Sequence, residues 1–103
     1  MARSREQARE FRKLYNSKNP KSGAATNIVA MYYINKILNQ EFVTEEDIKW
    51  CHNAAFIHPK VNLKQSLRDL KREQYLNVKS TPMGNVYSIT PCGINYYNSI
   101  LKG

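Results

Sequence analysis

The sequence patterns in residues 61–101 follow one another in an order that strongly restricts the possible folds. A basic helical segment over Val61–Gln74 runs directly into a short strand, and a turn containing Pro and Gly follows at residues 81–85. A second short strand over Val86–Ile89 leads to a helix that opens with Thr90-Pro91, a favourable cap and first helical residue. This segment therefore predicts helix, hairpin and helix in that order.

Upstream of this segment, apolar residues at helical spacing predict three more helices. The first runs from about Arg5 to Asn16, with Ser4 and Gln7 forming a capping box. The second covers residues 24–38, the most hydrophobic part of the chain, and a short extended piece follows at residues 42–43. The third begins at Thr44 and ends near Phe56. A short linker containing Pro59 then leads to the basic helix, which makes a helix-turn-helix unit.

The basic helix has two contrasting sides. Leu63, Leu67 and Leu70 form one apolar stripe that must pack inward. The opposite side carries Val61, Gln65, Arg68 and Arg72, with Asp69 nearby. Lys64 and Lys71 lie on one flank, and Asn62 and Ser66 lie on the other. The outward face is therefore predicted to be polar and cationic.

The fold class that follows is mainly α with a small β-hairpin (α+β). With 103 residues and an apolar fraction of 42%, the chain has enough material for one domain with one small core. We divide it into a basic N-terminal helix with its linker, residues 1–23, and a domain over residues 24–103.

The net charge of +8 is unevenly distributed along the chain. Residues 1–23 carry seven positive and two negative side chains, and residues 60–74 carry five and two. The intervening residues 24–59 carry two positive and four negative side chains, so this part is slightly acidic. A basic domain with its charge concentrated in two segments is typical of a nucleic-acid-binding protein.

Other classes of protein find little support in the sequence. No secretory signal or membrane-length apolar run is visible, so we expect a soluble, cytoplasmic protein, with a nucleoid-associated, phage or plasmid origin left open. Cys51 and Cys92 are expected to be reduced thiols, and with His52 and His58 they match no zinc spacing. No catalytic motif appears. We expect no metal, no cofactor, no small-molecule ligand and no enzyme activity.

The run from Leu70 to Gly93 resembles the end of the recognition helix and the wing of winged helix-turn-helix DNA-binding proteins. Many members carry tyrosine, a variable residue, leucine, threonine, two residues and glycine after the wing, and residues 87–93 read YSITPCG, with Ile89 in place of leucine. At the helix end, Gln74-Tyr75-Leu76 stands where the superfamily commonly has glycine followed by an aromatic or aliphatic pair. The resemblance covers roughly residues 24–101.

This resemblance implies sequence-specific binding of double-stranded DNA by a homodimer on a pseudo-palindromic site. The helix of residues 61–74 would enter the major groove and the hairpin of residues 76–89 would contact the backbone. Transcription regulation is the expected role, with replication, partition or architectural binding as alternatives. A protein-interaction adapter and an RNA-binding module are the rivals from other classes. An adapter should show apolar residues on the outward face of residues 61–72.

The candidate DNA-binding residues fall into three groups. Arg68 and Gln65 are types that read guanine and adenine, whereas Lys and the other Arg residues suit phosphates. The recognition-helix group is Lys60, Asn62, Lys64, Gln65, Arg68, Lys71 and Arg72. The wing group is Lys79, Ser80, Thr81 and Asn85, and the N-terminal arm group is Arg3, Arg5, Arg9, Arg12 and Lys13.

The N-terminal helix has two compatible interpretations. Its cations could follow a neighbouring phosphate run or enter the minor groove. Its apolar side chains could instead dock the helix onto the domain or a second subunit. The last helix is the other candidate for pairing subunits. The predicted dimer interface comprises Phe11, Tyr15, Tyr96, Tyr97, Ile100 and Leu101.

Overall fold

Three helices of the computed structural model, which describes residues 3–57 and 63–100, begin directly after the predicted capping residues Ser4, Thr44 and Thr90. The helices are α1 (Arg5–Lys18), α2 (Gly23–Tyr32) with a π-helical continuation (Tyr33–Ile37), α3 (Glu45–Ala54), α4 (Leu63–Arg72) and α5 (Pro91–Ser99). The strands are β1 (Leu76–Thr81) and β2 (Gly84–Ile89). The mainly helical α+β class with one antiparallel hairpin is confirmed.

Hydroxyl caps start the helices where the sequence places them. Ser4 and Gln7 form the predicted capping box of α1. Thr44 caps α3, and the Thr90 hydroxyl accepts a hydrogen bond from the amide of Gly93 at the start of α5. The ends are less well predicted: α1 continues to Lys18 because Asn19 takes the left-handed conformation that ends it.

The second helix, α2, is the centre of the core. Residues 25–31 are all buried, and they include the polar side chains of Thr26 and Asn27. It packs against α1, α3, α4, α5 and β2. Phe11, Tyr33 and Leu67 reach this same core from other parts of the chain.

The hairpin pairs β1 with β2 in antiparallel register from Leu76–Ile89 at its base to Thr81–Gly84 at its tip. Val43 and Tyr87 exchange two backbone hydrogen bonds of 2.8 Å, which confirms the extended piece predicted there. The base is buried and the tip is exposed, so the hairpin projects from the domain.

Side-chain contacts attach α1 to the domain along its length. Arg3 forms an ion pair of 2.7 Å with Asp47 near the start of α3, and Arg12 Nε donates to the Ala54 carbonyl at its end. The two helices therefore run side by side in the same direction. At the C-terminal end of α1, Lys18 Nζ donates to the carbonyl of Tyr97, which lies beyond the middle of α5. None of the described helices is both long and apolar enough to cross a membrane.

Removing the Arg3 guanidinium is expected to destabilise the fold in a pH-dependent way. Burial alone would raise the Asp47 pKa, but hydrogen bonds from the Thr44 amide, Arg3 and Gln40 lower it below its ordinary value of 3.8. A lowered folded-state pKa contributes stability above 3.8 that is lost as the pH falls through the folded value. Arg3→Met should cost about 2 kcal/mol at neutral pH, measured by urea denaturation.

Between neutral pH and an acidic pH below the lowered folded-state pKa of Asp47, the difference in stability between Arg3→Met and the unsubstituted protein should shrink. Arg5→Met is the matched control, because Arg5 is exposed; it should change stability by less than about 0.5 kcal/mol. An equal loss at both pH values would show that the ion pair does not carry the effect.

Candidate nucleic-acid interface

The orientation of α4 places its cations in solvent. Leu67 and Leu70 are buried against the core, which confirms the leucine stripe, and Leu63 is partly buried. The predicted outward residues Lys64, Gln65, Arg68, Lys71 and Arg72 are all exposed. Lys60 and Asn62 lie outside the described residues. The prediction for one flank is wrong: Ser66 is buried rather than exposed, because its hydroxyl accepts a hydrogen bond from a polar side chain of α2.

Hydrogen bonds along the exposed face of α4 order its side chains. Gln65 Nε2 donates to Asp69 Oδ1 at 2.9 Å, and Arg68 donates to Gln65 Oε1 at 3.0 Å. Arg72 forms an ion pair of 3.2 Å with Asp69. These contacts hold the two predicted base-reading side chains beside each other, and a base edge would have to exchange with them.

A groove separates α4 from the hairpin. One wall carries Lys64, Arg68 and Lys71, and Leu67 forms part of its apolar lining. The lining on the hairpin side comprises Val78, Asn85 and Tyr87, and Glu45 of α3 also contributes. Burial raises the pKa of Tyr87, so its phenol stays neutral at physiological pH. The cationic wall is therefore adjacent to a neutral hairpin surface.

The predicted wing residues differ in solvent exposure and in their contacts within the chain. Lys79, Ser80 and Asn85 are exposed, and Ser80 pairs directly with Asn85 across the hairpin. Lys79 Nζ lies 5.2 Å from the centre of the Phe42 ring. The Thr81 hydroxyl donates to the Gly84 carbonyl and accepts from the Met83 amide, so it closes the turn.

The N-terminal cations divide into two sets. Arg3 is corrected from a DNA contact to a structural residue, because only 14% of its side chain is exposed and its guanidinium pairs with Asp47. Arg12 is likewise engaged within the chain: its guanidinium lies 4.4 Å from the centre of the Phe56 ring, in addition to its bond to Ala54. The exposed cations are Arg5, Arg9 and Lys13, and Glu6 and Glu10 lie among them.

The predicted dimer-interface residues fall into a buried group and a partly exposed group. Phe11 and Tyr97 are corrected to core residues, since Phe11 is fully buried and Tyr97 stacks on Tyr32 with ring centres 3.8 Å apart. Tyr96 stacks on Tyr75 at 4.6 Å and remains partly exposed. Tyr15 and Ile100 are also partly exposed. Leu101 lies outside the described residues.

Buried polar side chains of α2 are the feature that the sequence analysis missed. Asn27 contacts both α3 and α4, and Asn35 contacts the hairpin. The available signal was an amide within the most hydrophobic helix, where a buried polar group must find partners. Burial lowers the pKa of His52, the α3 partner of Asn27, which favours a neutral imidazole.

No metal site is evident in residues 3–57 and 63–100, where no three His, Cys, Asp or Glu side chains come together. Cys51 is fully buried on the inner side of α3, and burial raises the pKa of its thiol. Cys51 is therefore a core residue, and a reactive thiolate is disfavoured there.

Compared with known proteins, the chain matches no family model, no curated protein and no solved structure. The likeness of residues 70–93 to winged-helix proteins thus stays a resemblance of sequence pattern. What the structure adds is the order of the elements and the exposed cationic face of α4.

Proposed function

We propose that the protein binds double-stranded DNA as a winged helix, with α4 in the major groove and the hairpin against the phosphate backbone. The observation that carries this proposal is the exposed face of α4, which presents Lys64, Arg68 and Lys71 along a groove beside the hairpin. The element order supports it: α2, the extended residue Val43, α3, α4 and then β1 and β2 is the order that a winged helix requires.

Charge complementarity supports the same orientation. Residues 74–100 contain no Asp or Glu, so the hairpin and α5 present no carboxylate to a polyanion. The described part of α4 shows no exposed apolar side chain, which favours nucleic acid over a protein-docking role. Phosphates contribute most of the affinity in such complexes, and exposed Lys and Arg side chains are their usual partners.

The side chains of α4 can be assigned roles from their positions. Arg68 lies in the middle of the exposed face, where its guanidinium can donate two hydrogen bonds to guanine. Gln65, one turn earlier, can pair with adenine. Lys64 and Lys71 lie one turn before and after Arg68 on the same flank of α4, and they suit phosphates along one side of the major groove.

The hairpin is the proposed backbone contact. Its strands of six residues extend about 20 Å, which is long enough to reach a phosphate run next to the occupied groove. Lys79 supplies the cation, and Ser80 and Asn85 supply hydrogen-bond donors on the adjacent positions. We propose transcription regulation by a homodimer as the biological role, with the partly exposed Tyr96 and Ile100 of α5 in the subunit contact.

Two alanine variants test this assignment on selected and random duplexes. Arg68→Ala should lose about 1–3 kcal/mol on the selected sequence and little on random DNA, because it removes a base contact. Lys71→Ala should weaken binding to both alike, because phosphates carry no sequence information. Mobility shifts or fluorescence anisotropy would measure both effects.

Lys49→Ala is the matched control, since Lys49 is exposed, lies on α3 rather than α4, and pairs with Glu46 of the same helix. It should leave binding unchanged. Equal losses from Arg68→Ala on both kinds of DNA would contradict its role as a base reader. Failure of the unsubstituted protein to bind any duplex would overturn the proposed function itself.

A further inference from the structure

Asn27 connects the three helices of the helix-turn-helix region. Its side chain is 1% exposed, and its Oδ1 lies 2.8 Å from His52 Nε2 on α3. Its Nδ2 donates to Ser66 Oγ on α4, also at 2.8 Å. Because the amide nitrogen donates to Ser66, the amide oxygen faces His52, and the imidazole must carry its proton on Nε2. The three groups therefore form one directional chain of hydrogen bonds.

Asn35, in the π-helical continuation of α2, makes equivalent connections to the hairpin. Its Nδ2 donates to the carbonyls of Gln40 at 2.8 Å and Glu41 at 3.1 Å, which hold the loop before Val43. Its Oδ1 accepts a hydrogen bond of 2.9 Å from the amide of Ile89, the last residue of β2. The amide thus attaches the base of the hairpin to α2.

We infer that Asn27 and Asn35 are positioning residues for DNA recognition, which fix α4 and the hairpin relative to each other. This inference rests on the proposed function. The two amides are eight residues apart, with Asn27 on α2 and Asn35 on its π-helical continuation. Asn27 holds the proposed base-reading element, and Asn35 holds the proposed backbone-contacting element.

Directional hydrogen bonds can fix orientations that apolar packing leaves less restricted. A leucine stripe tolerates small rotations of a helix, because apolar contact has no preferred direction. A buried amide loses its partner on such a rotation, and an unpaired buried polar group is costly. Ser66 follows Gln65 directly and precedes Arg68 by two residues, so fixing Ser66 fixes the direction in which both side chains project.

The inference is tested by replacing the polar chain with apolar side chains and measuring DNA binding under conditions where the protein is fully folded. The variant Asn27→Leu/His52→Leu/Ser66→Ala removes all three partners together, so none of these side chains is left as an unpaired polar group. We expect the ratio of selected to random duplex affinity to fall about tenfold, because the base contacts are misaligned. The salt dependence should stay unchanged, because the phosphate contacts remain.

Asn35→Leu should have a different effect. The base of the hairpin loses its attachment, so affinity for selected and random duplexes should fall together. The slope of log affinity against log salt should decrease by about 0.9, the contribution of the one phosphate contacted by Lys79. The two asparagines can therefore be distinguished by two separate measurements.

Phe11→Leu is the matched control for a merely structural effect. Phe11 is fully buried, so its truncation lowers stability, yet it contacts neither asparagine by hydrogen bond. It should leave the affinity ratio and the salt slope unchanged. If the triple variant does not fold, Ser66→Ala alone breaks the same connection with the loss of one hydroxyl.

The outcomes separate the inference from the proposed function. A folded triple variant, or a folded Ser66→Ala variant, that keeps the original affinity ratio would overturn the positioning role of Asn27. An Asn35→Leu variant with the original slope and affinity would do the same for Asn35. In both cases the unsubstituted protein would still bind DNA, whereas its failure to bind would remove the proposed function as well.

Discussion

Duplex binding is expected to weaken about 150-fold when monovalent salt rises from about 50 to about 200 mM. The exposed cations proposed to contact phosphates are Lys64, Lys71, Arg72 and Lys79. Each phosphate that such a cation neutralises releases counterions and contributes about −0.9 to the slope of log affinity against log salt. Four such contacts over a fourfold increase in salt give the expected factor. Fluorescence anisotropy on a labelled duplex would measure it.

Variants that each lack one cation show how much a single phosphate contact contributes to this slope. Lys71→Ala should reduce its magnitude by about 0.9, because one phosphate contact is lost. Lys36→Ala is the control, since Lys36 is exposed on the π-helical turn and has no place in the proposed interface. Binding that does not change across this salt range would exclude the phosphate contacts and the interface built on them.

Local sequence signals predicted the elements that depend on neighbouring residues. Ser4, Thr44 and Thr90 start helices because a hydroxyl cap needs only the next three amides. The stripe of Leu67 and Leu70 follows from helical periodicity, so the exposed face of α4 follows as well. For these reasons the fold class and the cationic face could be derived without coordinates.

Long-range polar contacts could not be derived in this way. Ser66 meets Asn27 across 39 positions of sequence, and Arg3 meets Asp47 across a similar separation. In each case the charge or hydrogen-bonding capacity of a residue suggested an exposed position, whereas a partner from another helix allows burial. Phe11 was misplaced for a different reason: an amphipathic helix does not show whether its apolar face meets its own domain or another subunit.

The junction between α4 and β1 was only partly predictable from the sequence. The superfamily pattern commonly has glycine there, and Gln74 instead adopts a left-handed backbone with φ of 67°. The sequence showed the departure but not how the chain would accommodate it. Tyr75, the next residue, then places its carbonyl within 3.1 Å of the Thr90 amide, where it accepts a hydrogen bond from the start of α5.

Gly93→Ala is expected to destabilise the protein by about 2 kcal/mol, although alanine favours helix more than glycine does. Helix propensity alone would stabilise the variant by about 1 kcal/mol. A Cβ at this position, however, would clash with the backbone carbonyl of Tyr75 and lie 2.7 Å from Ile89 Cγ1. Relieving such overpacking costs about 3 kcal/mol, because a backbone carbonyl cannot rotate away as a side chain can.

The sign of this change decides whether close packing explains the glycine of the YSITPCG motif. Urea denaturation at neutral pH would compare Gly93→Ala with Asn95→Ala, an exposed position two residues later in α5. The control should change stability by no more than about 0.5 kcal/mol. A Gly93→Ala variant as stable as the original would mean that α5 can move away from the Tyr75 carbonyl at no cost, and close packing would then not explain the glycine.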